Sequence, residues 1–247
     1  MCFALGLVVC LAACGGKKQA KVDVPAPPPL PPAATKPKPA EPDAEKDEAD
    51  ESADAQSSGV PADAKPISTE TGMASWYGPP YHNRRASNGE VYNMHAMTAA
   101  HRTLPLGSIV RVTNVQTGHS AVVRITDRGP FIEGRIIDLS LAAAKAVDVW
   151  HAGVARVRVD VLKTPTPAAA GGRWAVQIGA FDDEHTANTL ADKLTRRYRT
   201  AKVLRFASPV GDWWVRVRVQ NDDRTRAQAI VKETTTPQGT VFLVRLD

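Results

Sequence analysis

The chain has 247 residues, and its 19 Pro and 17 Gly are unevenly spread, which favours two small compact units plus linker over one large domain. Basic and acidic residues number 7 and 11 in Gly15–Glu70, 11 and 6 in Gly72–Lys163, and 13 and 9 in Arg173–Asp247, so the formal charge of +5 comes from the later segments. A mildly basic surface suits nucleic acid, an anionic membrane surface or an acidic polymer alike, and charge alone does not choose among them. Cys2, Cys10 and Cys14 are the three cysteines, which excludes a disulfide within the chain beyond residue 14.

Met1–Ala13 is a short apolar stretch, too brief to span a bilayer as a helix, and reads as the apolar part of a secretory signal covering residues 1–13. The string Leu11-Ala12-Ala13-Cys14 resembles a bacterial lipobox, which implies cleavage before Cys14 and lipidation of that residue. Gly15 in the next position, where Asp would mark retention, is similar to outer-membrane sorting signals. The missing basic n-region leaves a plain signal peptide or a start placed too far downstream as alternatives. Residues 14–68 are Pro, Ala, Lys and Asp/Glu with almost no large apolar side chain, so they cannot bury enough surface to offset ordering entropy. A disordered linker is expected there, extended as polyproline II from Pro25 to Pro42.

From residue 69 to 163 the pattern changes. Ile109–Thr113 and Ala121–Ile125 are β-rich runs separated by Gln116-Thr117-Gly118, which predicts a hairpin. Ser140 is placed to cap a helix through Leu141, Ala144 and Val147, and Val157, Val159 and Val161 alternate with Arg156, Arg158 and Asp160 in a last strand. Short strands with a helix or two fit a small closed barrel. A second linker, 164–172, is rich in Pro, Ala and Gly. Residues 173–247 read strand (Trp174–Phe181), helix (Thr186–Tyr198), strand (Ala201–Phe206), strand (Trp213–Val219), helix (Arg224–Glu233), strand (Val241–Leu246). This βαββαβ order predicts a four-stranded sheet with both helices on one face and the other face free to bind.

The strings GMASWYG, ASNGEVYN, TAAHRTLPLGSIVRVTN and VVRITDRGPFIEGRIIDLS occur in order between residues 72 and 140, and WAVQIGAF opens the C-terminal unit. The first set resembles the double-psi β-barrel domain of the rare lipoprotein A family, and the second resembles the opening of a SPOR domain. The resemblance implies a mainly β plus α+β chain: a six-stranded double-psi barrel followed by a SPOR domain that binds glycan strands stripped of stem peptides, as found at division septa. It also implies a lytic transglycosylase, with a functional triad falling on Glu90, His101 and Asp127. Asp127 is then the general acid/base, Glu90 a second carboxylate that orients substrate or stabilises charge, and His101 a polar partner of that network. The reaction implied is attack of the N-acetylmuramic acid 6-hydroxyl on its own anomeric carbon, giving a 1,6-anhydro end.

From the residues alone, Asp127 in Asp127-Arg128-Gly129-Pro130 ends a strand at a tight turn and reads equally as a turn-forming Asp paired with Arg128. Trp76 and Tyr77 suit stacking on sugar rings or packing in a small barrel, and Arg128 is counted with the substrate contacts. In the C-terminal unit, Gln177, Phe181, Trp213 and Trp214 are candidate glycan contacts; strand alternation puts Gln177 opposite Val176 and Ile178, and one of the two adjacent tryptophans packs inward. Six scattered His without a tight ligand spacing argue against a metal site, and no cofactor is expected. The aromatic-rich stacking motif of RNA-recognition sheets is absent, so no nucleic acid is expected. The expected location is the periplasmic side of the outer membrane at the septum, with divisome or amidase proteins as further partners. The rival reading is a non-catalytic wall-binding or wall-loosening lipoprotein, since a barrel does not guarantee activity.

Overall fold

The computed structural model describes residues 61, 64–168, 171–199, 202–208, 211–236 and 239–247. The expected signal, the Cys14 lipidation site and nearly all of the 14–68 linker lie outside the described residues.

Strands β1 (Ser68–Trp76), β2 (Thr98–His101), β3 (Ile109–Asn114), β4 (Ser120–Asp127), β5 (Arg135–Leu139) and β6 (Val154–Lys163) close into a barrel in the order β1-β5-β2-β4-β3-β6. Two of its pairings, β1 with β5 and β2 with β4, are parallel, and the rest are antiparallel. The predicted β3–β4 hairpin is present. Asn114 shapes its turn by accepting from the Gln116 amide at 3.0 Å, and Gly118 holds φ +79°, a left-handed conformation that side chains resist. Val110, Val112, Val123, Ile125, Val157 and Val159 fill the interior at 0–1% exposure. Removing each from water stabilises the fold by about 1.5–3 kcal/mol. The alternation predicted for β6 places Val157, Val159 and Val161 inside, while Asp160 on the other face is also buried, with Thr69 and Arg158 donating to its carboxylate. Helix α1 (Leu141–Ala146) starts at Ser140, whose hydroxyl accepts from the Ala143 amide at 3.1 Å.

The C-terminal unit is a four-stranded sheet in the order β10-β7-β9-β8, built from β7 (Trp174–Phe181), β8 (Lys202–Ala207), β9 (Trp213–Arg218) and β10 (Thr240–Arg245). Helices α2 (Glu184–Arg197) and α3 (Arg224–Glu233) cover one face, each N-capped by an Asp side chain, Asp183 and Asp223. Val176, Ile178, Val215 and Val217 pack with Ala187, Leu194, Ala227 and Ile230 beneath them. The opposite face is not free as the sequence predicts. Ala175 and Gln177, the β7 positions that alternate with the helix-side Val176 and Ile178, are 0% and 2% exposed, because the barrel sits against that face. Phe131 of the barrel packs its ring 5.3 Å from Trp214 and 5.9 Å from Phe242.

Candidate functional site

Three neighbouring strands set the floor of a cleft. Asp127, at the end of β4, is in register with Ala100 of β2, and Ala100 is in register with Asp138 of β5. The two carboxylates therefore flank one methyl group, with backbones about two strand spacings, roughly 10 Å, apart. Asp127, Ala100 and Asp138 all line a cleft of about 430 Å³, within the size range of small-ligand sites.

The environments of the two carboxyls differ. Asp127 Oδ1 accepts from the Ser87 amide at 3.0 Å, from the Ser87 hydroxyl, and from the Arg128 amide at 2.7 Å, while Oδ2 takes no protein donor among the described residues. Asp138 Oδ2 accepts from Arg135 Nη2 at 3.1 Å, and Oδ1 is buried without a donor. Burial pushes the Asp138 carboxyl up to about 6, against the opposing pull of Arg135 and Arg102. Sequence reasoning counts Asp138 with Glu90, His101, Asp127 and Arg128 among the ionisable residues at the ends of short apolar runs but gives it no chemical role. The signal it carried was a carboxylate inside the apolar run Ile136-Ile137-Asp138-Leu139.

Aromatic side chains form one side. Tyr77 stacks on Tyr92 with centroids 4.3 Å apart and meets Tyr81 edge-on at 5.8 Å. The Tyr92 hydroxyl donates to the Tyr77 carbonyl at 2.7 Å, which locks the stack. Burial raises the Tyr77 phenol well above its ordinary value, with the Asp127 charge adding to the shift. Trp76 instead packs against the barrel core and does not line the cleft.

Of the three residues expected to act together, Asp127 alone lines the cleft. Glu90 is exposed and held by both Arg124 nitrogens at 2.9 Å, which lowers its carboxyl below the ordinary range. Its turn still bears on the site: the Ala86 amide donates to the Glu90 carbonyl, the Asn88 amide donates to the Thr126 carbonyl, and Ser87 between them holds Asp127. His101 is buried. Its Nδ1 accepts from the Thr103 and Leu104 amides at 3.2 and 3.1 Å, which assigns the proton to Nε2, 3.5 Å from Glu70. Burial holds the imidazole below its ordinary value, with Glu70 pulling the other way.

Arg128, grouped with the substrate contacts, does line the cleft, and its guanidinium is anchored by backbone carbonyls. Nη1 donates to the His101 and Leu104 carbonyls at 2.9 and 2.6 Å, and Nη2 donates to the Asp247 carbonyl at 2.6 Å. Burial lowers it to about 10.

The C-terminal sheet reaches the same cleft with Gln177, Phe206, Trp214 and Arg216. Trp213 packs toward the helices, so Trp214 is the tryptophan on the cleft face. Phe181, expected as a glycan contact, is 1% exposed in the helix-side core. A register shift in the β7–β9 pairing between Ile178 and Phe181 breaks the alternation and brings its ring to the side of Val176 and Ile178. No group of three His, Cys, Asp or Glu among the described residues is arranged to hold a metal ion.

Residues 69–159 match the lytic transglycolase family model, and residues 170–244 match the SPOR domain model. The chain is 43% identical over 151 residues to the endolytic peptidoglycan transglycosylase RlpA of Helicobacter pylori strain J99, covering 50% of this chain and 48% of that protein. It is 46% identical over 133 residues to the protein of the same name from Vibrio cholerae, covering 51% of each. It thus spans about half the length of these curated relatives. Among solved structures, apo expansin from Clavibacter michiganensis is similar at 16% identity and a TM-score of 0.33, covering 62% of this chain and 81% of that one.

Proposed function

This chain belongs to the rare lipoprotein A family, joining a double-psi β-barrel to a SPOR domain, and from that premise we propose that it is a lytic transglycosylase acting on peptidoglycan glycan strands. The observation that carries the reading is the pair of carboxyls flanking Ala100 in one aromatic-lined cleft, one of them held near 6. A carboxyl held near 6 keeps a proton available close to neutral pH, which suits the acid that must protonate a leaving glycosidic oxygen.

In this reading Asp138 gives its proton to the bridging oxygen as the bond from the N-acetylmuramic acid anomeric carbon breaks. Asp127, through its open Oδ2, takes the proton of that sugar's 6-hydroxyl as the oxygen bonds to the same carbon. No water enters, and the product carries a 1,6-anhydro end. The nucleophile is intramolecular, so much of its entropic cost is already met. Tyr77 and Tyr81 pack against sugar faces. Ser87 and the turn closed by Glu90 position Asp127, and His101 supports the 101–104 loop that receives Arg128.

We further place the protein at the outer membrane through a lipidated Cys14, with the 14–68 segment as a spacer and the SPOR domain concentrating it on peptide-stripped strands at the septum, where cleavage serves daughter-cell separation. The family relationship and the lipobox support this reading. The test is mass spectrometry of products from peptide-stripped strands incubated with the chain and with its Asp127→Asn and Asp138→Asn variants. Anhydro ends from the unmodified chain alone support the assignment. Reducing ends would make it a hydrolase, and binding without product would make it a wall-binding lipoprotein.

A further inference from the structure

The C-terminal sheet is joined to the barrel by polar contacts with a fixed register. The Arg245 amide donates to the Arg102 carbonyl at 3.0 Å, and the Leu106 amide donates to the Asp247 carbonyl at 3.2 Å, so the end of β10 pairs with the loop after β2. Arg128 Nη2 donates to the same Asp247 carbonyl. Arg102 lies 5.3 Å over the Phe242 ring while its Nη1 donates to the Pro130 and Arg135 carbonyls. Arg245, 1% exposed, donates to Thr166, Pro167 and Asp247, which ties the connecting segment to the same point. Buried guanidinium groups and backbone amides fix direction as well as distance, so this joint does not slide as an apolar contact can.

The joint decides what faces the two carboxyls. Arg216 lines their cleft from β9. Its Nε and Nη2 donate to Gln177 Oε1 at 3.1 and 2.6 Å, and its plane lies 4.8 Å over Phe206. Nη1 has no protein partner among the described residues, and no carboxylate is bonded to the group. A guanidinium fixed by an amide and a ring, with no carboxylate bonded to it and one nitrogen unengaged, is a preorganised donor for the oxygen atoms of a ligand.

We infer that the C-terminal domain supplies one wall of the reaction cleft, with Arg216 as a substrate-positioning residue, so that one glycan strand is held by the SPOR sheet and acted on by the barrel at the same time. This rests on the proposed reaction for its substrate, but its geometric content, one shared site per chain, is separate from whether chemistry occurs there. A tail that only tethers the enzyme binds glycan at a site of its own, raises local concentration on long polymers and does nothing for the barrel's turnover of a short soluble ligand. A tail that forms a wall affects both.

The full chain is titrated calorimetrically with a peptide-free tetrasaccharide of alternating N-acetylglucosamine and N-acetylmuramic acid. Unmodified protein, Arg216→Ala, Arg216→Lys and the barrel-side Tyr81→Ala are compared, with thermal melting to confirm the fold. One site per chain is expected, with affinity about tenfold weaker in Arg216→Ala and in Tyr81→Ala, and partial recovery in Arg216→Lys. Turnover of the same tetrasaccharide falls by a similar factor in Arg216→Ala. Two sites per chain, or an Arg216→Ala titration and turnover identical to the unmodified protein, would overturn the inference. Absence of product from the unmodified chain would reject the transglycosylase reading, while the titration would still decide whether the site is shared.

Discussion

Replacing Asp138 with Asn should make the protein more stable at neutral pH while removing its activity. The carboxyl is held at about 6 against an ordinary value of 3.8. Moving a proton affinity that far corresponds to about 3 kcal/mol. The sign follows from proton counts: between pH 3.8 and about 6 the folded protein binds this proton and the unfolded chain does not, so the folded state loses ground as pH rises through that window. Above it the ionised carboxylate is a full burden on the fold, with one oxygen buried and undonated. Asn carries no charge and retains an oxygen to accept from Arg135, so the variant should gain about 1–3 kcal/mol at pH 7 and nothing below pH 4. Urea denaturation of both proteins from pH 4 to pH 8 reads the difference directly. His101, held below its ordinary 6.5, makes both proteins lose stability as pH falls through that value, and this contribution cancels in the difference. A stability difference that stays flat across the window would show that Asp138 is not the group titrating near 6, and the acid role proposed for it would fall with it.

Other substitutions separate positioning from support. Ser87→Ala removes the hydroxyl donor to Asp127; turnover should fall about tenfold with a melting change of about 1 kcal/mol or less. His101→Ala strips the acceptor from the Thr103 and Leu104 amides and leaves a hole in a buried site, and should destabilise by about 2–4 kcal/mol in chemical denaturation. Glu90→Gln breaks an exposed ion pair and should cost at most about 1 kcal/mol, with any larger fall in turnover reporting a role beyond holding its turn. Gly179→Ala puts a methyl 2.7 Å from Trp214 at φ +149° and should lower the melting temperature of the C-terminal unit, seen by a change in tryptophan emission.

The strands that carry the site were legible because their sequences repeat at the strand period: β3, β6 and β7 each show alternation that the buried valines and isoleucines obey. Alternation fails where the pairing slips: Phe181, counted among the glycan contacts, lies in the core. The Asp127–Ala100–Asp138 register was not legible. It joins Ala100 to residues 27 and 38 positions further along the chain, and only the order in which the barrel closes makes them neighbours. The anchoring of Arg128 was hidden for a related reason: its three carbonyl acceptors are His101 at the end of β2, Leu104 in the loop after it and Asp247 just beyond β10. Residues 101–104 announce nothing of this in sequence, since backbone carbonyls carry no residue identity.

Phe131 belongs to the same loop as Asp127 and Arg128, and its ring is the wedge on which Trp214 and Phe242 rest. The two modules thus share one side chain. Drift in the aromatic surface of the second module is transmitted to a loop whose other end carries the catalytic candidate, so a graft of a foreign tail onto this barrel would have to match that ring as well as the length of the connecting segment.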